Sequence, residues 1–176
     1  MRHSTLGALA ALAALVASCG FGAGNAIEIP AAPGPSTTVT PAIGATAAIA
    51  GEALGSRGLP VSVPQVPFRP PEAPTLAAAP RAVYQVKLPN DLDHGFFVIY
   101  ELATSQAATA AAEEQVAYVE SGPGRVQFPP DARFVLRQVG STLIFYSWAP
   151  SAVTDERAPQ IADALATVGM GYEIRA

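Results

Sequence analysis

Cysteine is almost absent from this chain, whose 176 residues contain one, Cys19. A lone thiol forms no intrachain disulfide and assembles no multi-cysteine zinc site. Histidine is nearly as scarce, with His3 in the first residues and His94 far downstream. No Gly-x-Ser-x-Gly elbow and no phosphate-cradling glycine loop occurs, so the common hydrolase and nucleotide signatures are missing. Basic charge is thin: over residues 81–176, Lys87 and six arginines face 11 carboxylates, a net charge of -4. That balance argues against nucleic acid as the main partner. The apolar run Leu6–Val16 is too short for a spanning helix, which needs roughly 20 residues.

What is present begins with that run. Arg2 precedes it, and small residues close it at Ala17-Ser18-Cys19-Gly20. A charged start, a short apolar core and a small-residue end define a secretory leader. The sequence Val16-Ala17-Ser18-Cys19 resembles the lipobox of bacterial lipoprotein precursors. The resemblance implies a signal peptide over residues 1–18, cleavage before Cys19 and acylation of its sulfur, so that palmitate-type chains hold the protein on the extracytoplasmic side of a membrane. Each buried methylene contributes about 0.8 kcal/mol, so two or three chains hold a protein durably. Gly20, rather than an aspartate, follows the cysteine. In this family that implies export to the outer membrane where the cell has one, and the cell membrane otherwise.

Residues 19–80 carry 11 of the 17 prolines, set among alanine, glycine and threonine. So little bulky apolar surface does not offset the entropy of ordering the backbone. The stretch is therefore expected to be a disordered Pro/Ala-rich tether, spanning from several tens of Å to well over 100 Å.

Residues 81–176 are long enough for one small domain. Phe96–Leu102, rich in aromatic and β-branched residues, predicts a strand. Thr104 or Ser105 caps a helix that runs to Glu120, with Ala108, Ala112, Val116 and Val119 at helical spacing. Ser121-Gly122-Pro123-Gly124 ends it, and Arg125–Phe128 reads as a short strand. Gly140-Ser141 is a two-residue turn joining strands Arg133–Val139 and Thr142–Trp148. A last helix is expected over Asp155–Val168, followed by an edge strand at Gly171–Ile174, and an extra strand near Val83–Lys87 precedes the series. This order is the ferredoxin-like split βαβ (βαββαβ) pattern, an α+β fold with an antiparallel sheet and two helices on one face.

With a two-residue turn, Arg133 pairs with Trp148, Leu136 with Phe145 and Val139 with Thr142. Phe134, Leu136, Leu143 and Phe145 then lie beneath the helices. Arg133, Val135, Arg137, Ile144, Tyr146 and Trp148 fall on the other face, which carries no helix in a two-layer fold. Arginine and aromatic side chains together suit a sugar, a peptide or a second subunit. Alternatively Arg133 stacks on Trp148 while the tether or another copy covers the rest. Asp91, Asp93 and His94 read as a polar turn rather than a metal site, because the glycine and distal glutamate of a calcium loop are not at matching spacing. No cofactor is implied, and Glu113 and Glu114 read as a solvated helix face.

The layout of anchor, tether and small terminal βαββαβ domain resembles that of sporulation-related-repeat domains, which bind peptidoglycan through the sheet. The segments Glu101–Gly122 and Trp148–Gly169 resemble that family's strand-end, alanine-rich helix, glycine pattern, while Gln85-Val86-Lys87-Leu88 lacks its glycine and aromatic. The chain is thus expected to be a lipid-anchored, non-catalytic module that engages an envelope protein or cell-wall component. Two alternatives stay open: a self-associating structural lipoprotein using the same face, and an enzyme with an unidentified site.

Overall fold

Strands rich in β-branched and aromatic residues, alternating between two apolar faces, build the centre of this protein. The computed structural model describes residues 39–175; the leader, Cys19 and the start of the expected tether lie outside that range. Six antiparallel strands form one open sheet: β1 (Val61–Ser62), β2 (Arg81–Val86), β3 (Phe96–Glu101), β4 (Arg133–Val139), β5 (Thr142–Trp148) and β6 (Met170–Tyr172). Their spatial order is β1-β2-β3-β5-β4-β6. The helices are α1 (Pro41–Gly55), α2 (Pro74–Ala78), α3 (Ser105–Glu120), α4 (Gly122–Arg125) and α5 (Ala158–Leu165).

The β4–β5 hairpin has the register expected from its turn, with Arg133 opposite Trp148, Leu136 opposite Phe145 and Val139 opposite Thr142. Helix α3 is capped as expected, the Thr104 hydroxyl accepting from Ala107 N–H at 3.0 Å. Residues Gly122–Arg125 form a helical turn rather than simply a stop, and no strand spans Arg125–Phe128.

The fold class is α+β, but the strand order differs from the ferredoxin-like one. In that pattern the last strand lies beside the first, which here would be β3. That edge of β3 is taken by β2, from Arg81 opposite Tyr100 to Gln85 opposite Phe96. The last strand, β6, pairs instead with β4 at the far edge. Crossovers between parallel strands are right-handed. The β3-α3-β4 and β5-α5-β6 crossovers step the same way across the sheet from oppositely directed strands, so their helices must lie on opposite faces.

The core shows that division. Val98, Tyr100, Leu136, Leu143 and Phe145 pack with Ala108, Ala112 and Val119 of α3. Phe97, Ile99, Ile144 and Tyr146 pack with Ile161, Ala164 and Leu165 of α5. The expectation of two helices on one face is therefore corrected, and the sheet is covered on both sides.

The second correction concerns the expected tether. From Thr40 onward it is folded: the Thr40 hydroxyl accepts from Ile43 N–H at 3.2 Å, and Pro41 occupies the first turn of α1, where its missing N–H costs nothing. Ile43, Ala50 and Leu54 are fully buried in the same cluster as α5 and the sheet. Gly58, at φ +70°, turns the chain away, and Leu59 N–H closes on Leu54 O at 3.1 Å. A left-handed residue followed by such a closure is a helix stop that glycine makes cheap. Composition misled here because alanine adds little area of its own but lets α1 approach an apolar sheet face closely.

The Pro-rich piece that follows is fixed as firmly. Gln115 of α3, fully buried, accepts from Ala73 N–H at 2.7 Å. Glu72 accepts from Arg81 at 2.7 Å, from Arg69 at 2.6 Å and from the Tyr100 hydroxyl at 2.5 Å. Burial, then the Glu72 charge, push the Tyr100 phenol well above its ordinary pKa.

Two stability changes follow. Leu54→Ala should cost about 2–5 kcal/mol, the range for a buried leucine, read as a lower urea midpoint at unchanged slope. Glu72→Gln should cost about 3–5 kcal/mol by leaving the buried Arg81 charge unmatched, and an unchanged midpoint would show that the network is not stabilising.

Candidate functional site

The face expected to be open is not open. Ile144 and Tyr146 are 0% and 1% exposed beneath α1 and α5. Val135 is half-buried against the same cluster. The Tyr146 hydroxyl donates to Ala158 O at 3.2 Å, and burial, then the Asp91 charge, raise its pKa. Arg137 ties down the bend between α5 and β6, donating to Val168 O and Gly169 O at 2.6 Å each. Gly171 leaves the room: a Cβ there would lie 1.9 Å from the Arg137 guanidinium.

Of the six predicted residues, only Arg133 and Trp148 form a surface feature. The Arg133 guanidinium lies 5.5 Å from the Trp148 ring centre. The surface expected to bind a partner, a glycan strand or a second copy is instead filled by the chain's own α1 and α5, because the last strand sits on the far edge.

Trp148 does, however, line a cavity of about 140 Å³ at the end of β5. Its walls include Phe68, His94, Phe128, Ala132 and Ser147. Two aromatic pairs hold these walls: Phe68 stacks on Phe96 with ring centres 4.6 Å apart, and Phe128 meets Phe134 edge-on at 4.9 Å. Phe68 was hidden in the Pro-rich stretch, and only its isolation as an aromatic among prolines could have drawn notice. Phe128 lies where a strand is expected from sequence, but Arg125–Phe128 forms none.

His94 is the polar group of chemical interest in this wall. Its Nδ1 lies 2.6 Å from Asp91 Oδ1, with Asp91 almost buried and His94 40% exposed. The second Asp91 oxygen accepts from Thr154 N–H at 2.9 Å. Burial opposes ionisation of Asp91, but the His94 hydrogen bond and the Thr154 N–H outweigh it and hold the carboxyl below its ordinary range. Asn90 N–H donates to Asp155 at 3.2 Å, and Arg157 donates to both Asp155 oxygens at 2.8 and 2.5 Å. The turn Asn90–His94 is thereby pinned to the segment leading into α5. Ser151 donates through both its backbone N–H and its hydroxyl to Asp131 at 2.7 Å, fixing the adjoining loop.

The Asp93 side chain joins none of these bonds, and among the described residues no cluster of three or more metal-ligating side chains occurs. A carboxylate-oriented imidazole beside an apolar cavity can accept or donate one directed hydrogen bond to a bound group. Compared with known proteins, the chain matches no family model, no curated protein and no solved structure.

The loop network predicts an acid dependence. The Arg157 side chain holds Asp155 far below the ordinary carboxylate range, and the Ser151 hydroxyl lowers Asp131. Each carboxyl stays charged to lower pH in the folded chain than in the unfolded one, where aspartate titrates near about 3.9. Their contribution is complete above about pH 5 and is lost as pH falls through the depressed folded values. Urea midpoints should be flat above about pH 5 and fall steeply below about pH 4, with a shallower acid slope for Asp155→Asn.

Proposed function

We propose that this chain is a lipid-anchored extracytoplasmic lipoprotein whose folded part is a non-catalytic binding module for an envelope protein or cell-wall component. The observation that carries the reading is the lone Cys19, set behind a short apolar leader. Among the described residues, no helix is long and apolar enough to cross a membrane.

The binding surface is the rim of the cavity at the end of β5, where Trp148 and His94 line the opening and Arg133 stacks on the Trp148 ring. It replaces the sheet face. Aromatic rings held by neighbouring rings, with directed donors at the edge, suit a partner that inserts a small apolar group.

Cys19→Ser should leave uncleaved, unacylated precursor in the cell, and normal incorporation of labelled fatty acid would overturn the anchor. A photo-crosslinking side chain at Arg133 should capture an envelope protein or wall material. Crosslinks to a second copy alone would favour the self-associating lipoprotein instead.

A further inference from the structure

The cavity at the end of β5 has the size and the chemistry of a one-ring site. Its volume is about 140 Å³, and an apolar cavity of roughly 150 Å³ accommodates a benzene molecule. Phe68, Phe128 and Trp148 supply aromatic walls, and Ala132, Ala149 and Ala152 complete them with small apolar side chains. Besides the Trp148 indole N–H, which only donates, two side chains interrupt this apolar lining, Ser147 and His94. A serine hydroxyl donates or accepts and selects nothing. His94 does select. The Asp91 carboxylate accepts at Nδ1 across 2.6 Å, so in the neutral ring Nδ1 carries the proton and Nε2 is left as an acceptor. Asp91 is itself held by Thr154 N–H, so this tautomer is built into the loop contact.

We propose that the cavity binds a phenolic ring, its hydroxyl donating to Nε2 of His94 and its face stacking among Phe68, Phe128 and Trp148. The inference deepens the binding-module reading by naming the ligand class, and it does not depend on the lipid. A phenol reaches such a site either as a free small molecule or as a tyrosine side chain of a partner.

The test uses the full chain carrying Cys19→Ser, so that no acyl chain competes for apolar probes, at pH 8. Trp148 is the only tryptophan, and its emission, excited at the red edge, reports the cavity directly. p-Cresol should give a saturable change and bind about tenfold more tightly than toluene, the worth of one net hydrogen bond. His94→Ala should remove that preference while keeping toluene binding. Ala152 is an exposed residue of the cavity wall, so Ala152→Phe fills the space without disturbing the core and should abolish both responses. Competition by N-acetyl-tyrosinamide would assign the ring to a protein partner, whereas p-cresol binding without that competition would assign it to a free phenol. No saturable response, a response that survives Ala152→Phe, or equal affinity for p-cresol and toluene would overturn the proposal. Loss of lipid labelling and loss of cresol binding are separate readouts, so either reading fails without the other.

Discussion

One strand pairing governs the architecture. β2 lies along the outer edge of β3, and a strand edge accepts only one neighbour. With that place taken, the final strand goes to the free edge of β4. A right-handed connection then carries α5 over the face opposite α3. The sheet becomes buried on both sides, and every residue between Phe96 and Tyr100 is at most 5% exposed.

A face covered by α5 alone would remain half bare, because α5 has only eight residues. The remainder is closed by α1. An isolated helix of this length is marginal in water, and its stability comes from the surface on which it docks. Ile43, Ala50 and Leu54 make that contact beside Phe97, Ile99 and Ile144. Helix and sheet face stabilise each other, and the Thr46 hydroxyl adds a buried 2.7 Å bond to Thr142. On the other face, Glu72 and Gln115 hold the Pro-rich segment against β2, β3 and α3. A stretch with the composition of a linker is thus part of both outer layers.

The same closure decides where a ligand can go. With both faces occupied, a concave surface with aromatic walls is found at the end of β5, where Phe68 from the Pro-rich segment and the Asn90–His94 turn converge beside Trp148. Arg133 and Trp148 were legible as a pair from hairpin register, since a two-residue turn fixes which residues face each other. Phe68 and Phe128 were not legible as partners, because they come from irregular chain without periodicity. His94 was visible as the one histidine beyond the leader, but its orientation depends on Thr154 and Asp155, more than 50 residues downstream.

The sequence by itself determined the local elements: the β4–β5 register, the Thr104 cap, the strand at Phe96–Glu101 and the returning edge strand near Tyr172. These follow from alternation, capping and turn chemistry within a few residues, which local physics decides. It also held the signals of α1, Thr40-Pro41 followed by Ile43, Ala50 and Leu54, but at an alanine-rich composition too weak to stand without its docking surface. Only the tertiary structure decided which edge the last strand takes, and hence which faces are buried. Edge choice is a competition between distant segments for one set of backbone hydrogen bonds, and no window of sequence contains both competitors.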